Sequence, residues 1–142
     1  MTGLARRLAA ELHPPLCIHL EGDLGAGKTT FVRALVQGLG YPGRVKSPTY
    51  GLLEHYDLPD LKVLHLDLYR IGDPGELEFL GIVDLYDECT VLLAEWPERG
   101  GDALPAADAR LLFEHSGNLR RVTCMAHSSS GNALCHSFNR LL

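Results

Sequence analysis

Apolar residues in this chain fall into alternating helical and strand-like runs, and the order of those runs predicts a fold. Leu4, Leu8 and Leu12 share one face of a first helix, which Pro14 and Pro15 stop. Leu16 to Leu20 (Leu-Cys-Ile-His-Leu) reads as a short strand. Phe31, Leu35 and Leu39 then recur at four-residue spacing, predicting a helix from about Thr29 to Leu39 that ends at Gly40. Ser47-Pro48-Thr49-Tyr50 opens an extended stretch to about Tyr56, Asp57 to Asp60 reads as a loop, and Lys62 to Asp67 as a strand. Asp73-Pro74-Gly75-Glu76 looks like a helix start, with Asp as N-cap and Pro at the first position, and that helix should end near Gly81. Cys89 to Glu95 is a continuous apolar run, as expected of a strand covered on both faces. Pro97 to Pro105 reads as a loop. Ala109 to Glu114 and Leu119 to Ala126, around Ser116-Gly117-Asn118, form an antiparallel hairpin pattern, and Leu134, Phe138 and Leu141 mark a last helix. The alternation predicts a three-layer α/β domain of the P-loop NTPase-like kind, its central sheet mostly parallel with an antiparallel hairpin at the edge.

One segment carries chemistry. Gly22-Asp23-Leu24-Gly25-Ala26-Gly27-Lys28-Thr29 fits G-x-x-x-x-G-K-[ST] at every fixed position and joins the first strand to the second helix, as that motif requires. Its glycines let successive N–H groups turn inward onto a phosphate, and the helix adds its positive N-terminal end. The cradle predicted for a nucleoside triphosphate is Asp23, Leu24, Gly25, Ala26, Gly27, Lys28, Thr29 and Thr30. Lys28 reaches toward the β- and γ-phosphates, and Thr29 offers its hydroxyl to Mg²⁺. The ligand should lie beyond the C-terminal ends of the strands.

Such a loop needs acidic help to place a metal and a water. Asp67 ends Val63-Leu64-His65-Leu66-Asp67 and Glu95 ends Val91-Leu92-Leu93-Ala94-Glu95, so either fits the Walker B position. Thr49 lies about twenty residues past Lys28, where a switch segment would offer a hydroxyl to the γ-phosphate or metal; the plain alternative is an ordinary strand-start threonine. Trp96, the single tryptophan, reads as core packing, and His65 as a strand histidine rather than a ligand.

The 142 residues suit one domain, 1–142, with a full core. No apolar run approaches the roughly 20 residues that span a bilayer, and the start has no signal-peptide core, so a cytoplasmic protein without membrane association is expected. Cys17, Cys89, Cys124 and Cys135 form no Cys-x-x-Cys pair and read as reduced and mostly buried. A net charge of −5 with only three lysines argues against an intrinsic nucleic-acid binder. All 18 acidic residues precede position 115, and segment 115–142 carries Arg120, Arg121 and Arg140 with no acid. That segment reads as a solvated hairpin and helix in preference to a phosphate or RNA contact.

With these residues assembled, the chain resembles the bacterial TsaE (YjeE) family of P-loop ATPases, which serve threonylcarbamoyladenosine modification of tRNA. The matching blocks are Gly22 to Phe31, Lys46-Ser47-Pro48-Thr49-Tyr50, His65-Leu66-Asp67-Leu68-Tyr69-Arg70, Glu76-Leu77-Glu78-Phe79-Leu80-Gly81 and Glu95-Trp96-Pro97. The resemblance implies a doubly wound fold, ATP hydrolysis with Mg²⁺, and a cytoplasmic complex with TsaB and TsaD through which tRNA is reached. By motif it implies that Lys28 and its loop hold phosphates, that Thr29 and Glu95 bind Mg²⁺, and that Asp67 and Thr49 are further essential groups near the γ-phosphate. Family members usually carry a segment ahead of the first helix that helps contact the nucleotide base. Met1 to Gly3 leaves no room for it, so that edge segment is expected to be missing.

Two other readings stand beside this one. A small-molecule P-loop kinase shares the loop and the strand-end acids but needs an arginine-bearing lid, and Pro97 to Pro105 holds only Arg99. A switch that binds nucleotide without hydrolysing it would need the loop alone.

Overall fold

Six strands form one sheet in the order β2-β3-β4-β1-β5-β6, with helices on both faces. The computed structural model describes residues 2–23, 25–45, 52–117 and 119–142. In chain order these are α1 (Thr2–Ala9), β1 (Leu16–Gly22), α2 (Lys28–Gly38), β2 (Leu53–Asp57), β3 (Lys62–Asp67), α3 (Gly75–Leu80), α4 (Ile82–Leu85), β4 (Thr90–Glu95), β5 (Ala109–Ser116), β6 (Leu119–Ala126) and α5 (Ser129–Leu141). The expected order of helices and strands is thus present; Lys46 to Tyr50, with Thr49, and Leu24 lie outside the described residues.

β1 pairs in parallel with β4 and β5, and β3 with β4, so the centre of the sheet is parallel. Antiparallel pairing occurs at both edges, β5 with β6 and β2 with β3, where one edge hairpin was expected. The second follows from connection length: residues 58–61 are too few for a crossover, and Leu58 N–H closes the turn onto Leu61 O at 3.0 Å.

Strand alternation divides the interior into two layers. Leu16, Ile18 and Leu20 of β1, Val91 and Leu93 of β4, and Leu111 and Phe113 of β5 meet α1, α2 and α5. Phe31 of α2 packs edge-on against Phe113, ring centres 5.4 Å apart. On the other face Cys17, Leu64, Leu66, Leu92 and Ala94 pack under Leu77, Ile82 and Leu104. This second layer is thin, because α3 and α4 are short and Pro97–Arg99 and Gly101–Ala103 are single 3₁₀ turns within the expected loop. At the start of α3, Pro74 occupies the cap position, and Asp73 Oδ1 accepts from Gly75 N–H at 2.9 Å. Asp108 joins layers and strands: its carboxylate accepts from Cys17 N–H at 2.8 Å and from the hydroxyl of Ser128 at 2.7 Å, and Ser128 caps α5.

Two of the four cysteines depart from the expected reduced state. Cys124 and Cys135 are joined by a disulfide, Cys17 is a buried free thiol, and Cys89 is a free exposed one. Cys124 faces inward on β6 and α5 folds back over that strand, which brings Cys135 onto it; residue spacing alone did not disclose this packing.

Candidate functional site

The C-terminal ends of β1, β3 and β4 converge on the N-terminus of α2. Gly22 ends β1 at φ 142°, and a Cβ there would stand 2.4 Å from the backbone oxygen of Phe113, so only glycine lets β1 turn away beside β5. The loop bends onward through Asp23, which is exposed and whose carbonyl accepts from Ala26 N–H at 3.1 Å. Gly27 holds the left-handed conformation as N-cap of α2, and among the described residues no side chain caps the helix. The N–H groups of its first turn and their dipole are therefore directed at the space before the helix.

Lys28, 4% exposed, folds back so that its ammonium donates to Gly22 O and sits 3.7 Å from the centre of the Trp96 ring. Burial pulls its pKa down, and the negative fields of Glu95, Glu98, Asp67 and Asp23 oppose that shift. Thr29 donates its hydroxyl to Glu95, with Oγ1 2.9 Å from Oε1 and 3.1 Å from Oε2.

Asp67 and Glu95 occupy paired register positions at the ends of adjacent parallel strands, so both carboxylates leave the sheet on the α2 side. Burial raises the Asp67 carboxyl above its ordinary value, the Tyr69 N–H donated to Oδ1 at 3.1 Å pulls it down, and the neighbouring Glu95 charge pushes it up again. Gly25, Gly27, Lys28, Thr29, Thr30, Asp67, Glu95 and Arg120 line a cavity of about 190 Å³. The larger hollow, about 620 Å³ and bordered by His19, Glu21, Arg110 and His127, lies away from these residues. We assign the site to the smaller one because the glycine loop, the cation and both strand-end acids meet there.

The structure thus brings together Gly25, Gly27, Lys28, Thr29, Thr30, Asp67 and Glu95. Ala26 is buried beneath the loop, and Thr49 and Leu24 lie outside the described residues. Two participants, His65 and Arg120, were not read from the sequence, while the block holding Trp96 is one that the resemblance places beside the site. His65 places Nε2 2.6 Å from Glu95 Oε2; the alternation His65, Leu66, Asp67 puts it on the Asp67 face, but its partner depends on the β3–β4 register. Trp96 packs partly into the thin layer as expected, yet its ring also lies under Lys28 and 5.0 Å from that of Tyr69. Arg120, read as part of a solvated hairpin, lines the cavity.

Fold and site define a three-layer α/β domain with a glycine loop of P-loop pattern between its central strand and second helix, flanked by two strand-end carboxylates. The chain belongs to the TsaE family: the profile described as "Threonylcarbamoyl adenosine biosynthesis protein TsaE" matches residues 1–123. A tRNA threonylcarbamoyladenosine biosynthesis protein TsaE of Haemophilus influenzae is 41% identical over 124 residues, 87% of this chain and 78% of that one. The Bacillus subtilis protein of the same description is 34% identical over 138 residues, 96% of this chain and 86% of that one. The crystal structure of Bacillus subtilis YdiB superposes with a TM-score of 0.78 at 28% identity, covering 98% of this chain and 86% of that one. The TsaE role in tRNA threonylcarbamoyladenosine biosynthesis accordingly applies here. Among the described residues no helix is long and apolar enough to cross a membrane.

Proposed function

We propose that this protein binds ATP with Mg²⁺ at the α2 N-terminus and hydrolyses it as the cytoplasmic accessory ATPase of a TsaB–TsaD complex, through which tRNA is reached. The observation that carries this reading is the contact of Thr29 Oγ1 with both oxygens of Glu95 beside an uncapped helix end. A hydroxyl and a carboxylate are the hard oxygen donors that Mg²⁺ takes while keeping several waters, so the residues present fit the ion. The uncapped amides and the Lys28 ammonium fit a polyanionic tail.

In this reading Thr29 and Glu95 hold the metal, which supplies neutralisation of phosphate charge. Lys28 exchanges its present partners, Gly22 O and the Trp96 ring, for phosphate oxygens. Asp67, partly buried and next to Glu95, orients the attacking water and receives its proton; Thr49 and Leu24 join by motif. Oxygen attack at the γ-phosphorus breaks the bond to the β,γ-bridging oxygen and releases ADP and phosphate. Hydrolysis then times the reset of the partner enzyme.

The test is the ATPase rate of the native chain and of Glu95→Ala, each with and without TsaB and TsaD. Stimulation of the native chain alone is expected; four equal rates would discard the reading. Lys28→Ala should lose nucleotide affinity altogether. The kinase alternative loses its one lid arginine, because Arg99 donates to Tyr69 O at 2.7 Å and lies over the Tyr69 and Trp96 rings. Single-turnover hydrolysis separates the ATPase from a switch that only binds.

A further inference from the structure

Arg120 is brought to the phosphate cavity by the β5–β6 hairpin. β1 ends where Gly22 pairs with Phe113, whereas β5 and β6 continue through His115 paired with Arg120. The hairpin therefore overhangs the point at which β1 becomes the glycine loop. Alternation along β6 fixes which arginine faces it. Val122, Cys124 and Ala126 pack toward the core shared with α2, and Arg120 has the same parity, while Arg121 stands on the opposite face across from Glu114. Arg120 accordingly lines the cavity with Lys28, Thr29, Asp67 and Glu95, and Arg121 does not. Arg120 is exposed and, among the described residues, has no acidic partner.

We propose that Arg120 is a phosphate-contacting residue, supplied within the same chain, that neutralises charge on the terminal phosphate of the bound nucleotide. This rests on the reading that the cavity takes a triphosphate tail. A guanidinium is permanently charged and presents a planar fork that matches two phosphate oxygens, and an arginine so placed acts most strongly when charge shifts during phosphoryl transfer. Lys28 and the α2 N-terminus approach the tail from the loop side. Arg120 adds a second cation from the hairpin side.

The experiment compares the native chain, Arg120→Ala, Arg120→Lys and Arg121→Ala, each verified as folded by circular dichroism. Calorimetry reads affinity for a Mg²⁺-loaded non-hydrolysable ATP analogue and for Mg-ADP, and turnover is followed with TsaB and TsaD present. Arg120→Ala should weaken analogue binding about tenfold and ADP binding less, and lower turnover by at least about a hundredfold. Arg120→Lys should recover part of the affinity and little of the turnover, and Arg121→Ala should stay within about twofold of native. Equal behaviour of Arg120→Ala and Arg121→Ala, whether both native-like or both impaired, overturns the assignment. A native chain that binds neither nucleotide overturns the triphosphate reading and this assignment with it. Binding by the native chain that Lys28→Ala loses and Arg120→Ala keeps overturns the assignment alone.

Discussion

His65 Nε2 lies 2.6 Å from Glu95 Oε2, and the two side chains are exposed by only 1% and 3%. A buried carboxylate needs donors on its oxygens, and among the described residues Glu95 has two sources: the imidazole from within the sheet and the Thr29 hydroxyl from α2. Nε2 carries the donated hydrogen, and Nδ1 is buried without a hydrogen-bond partner among the described residues. His65 thereby fixes the rotation of Glu95 while leaving Oε1 turned toward Thr29. Its position two residues before Asp67 places both polar groups on one face of β3.

Removing the imidazole should expose this dependence. His65→Leu leaves a buried carboxylate oxygen one donor short, at a cost of about 1–3 kcal/mol. In a double-mutant cycle with Glu95→Gln, followed by urea denaturation, the two substitutions should couple by at least about 0.5 kcal/mol. Additive effects would show that the short contact does not hold Glu95.

Asp67 predicts a pH dependence of a definite sign. Its folded pKa is raised above 3.8 chiefly by burial, with the Glu95 charge acting in the same direction. The unfolded carboxyl ionises more readily, so this group's contribution favours the fold below about 3.8 and is lost as pH rises through the raised folded value. Asp67→Asn keeps an acceptor for Tyr69 N–H and removes the charge. Its melting temperature should exceed that of the native chain at pH 7.5, and the gap should close on acidification toward pH 4. A constant gap across that range would place the effect in packing instead of ionisation.

Much of this architecture is legible in the chain. The β3 strand is legible at Lys62 to Asp67 and has those bounds, since its buried run is closed by Lys62 and Asp67 and Pro59 and Asp60 punctuate its start. Glu95 and Asp67 could be nominated because each closes an apolar run. Their adjacency could not, because it depends on β3 pairing with β4 across an intervening pair of helices. The same limit hid His65 and Arg120: both sit on elements read correctly, and their partners are set by register and overhang. α4 escaped notice because four residues are too short to show a period.

Thiol chemistry checks the layer packing. Burial, with the Asp108 charge added, pushes the Cys17 thiol up to about 12, so it stays protonated and shielded, whereas Cys89 is exposed. Under native, non-reducing conditions iodoacetamide should modify Cys89 alone; denaturation should add Cys17, and prior reduction should add Cys124 and Cys135, read by mass spectrometry. The bridge closes a loop across a sequence separation of 11, a constraint worth about 3 kcal/mol. Cys135→Ser should lower stability by up to that amount. Four alkylated sites in denatured, unreduced protein would contradict the β6–α5 link.

Two glycines of the loop should separate geometric strain from steric exclusion. Gly25 lies at φ 80° with nothing among the described residues within 4 Å of an added Cβ, so Gly25→Ala should meet the left-handed penalty of about 1–2 kcal/mol. Gly22 lies at φ 142°, and its Cβ would stand 2.4 Å from Phe113 O, a backbone atom that can move only by parting β1 from β5. Gly22→Ala should therefore cost at least about twice as much as Gly25→Ala in urea denaturation. It should also disturb the carbonyl that accepts from Lys28, so nucleotide affinity should fall even where the fold survives. Equal costs for the two variants would mean that the approach of Gly22 to β5 does not constrain the loop, and the placement of Lys28 would need another source.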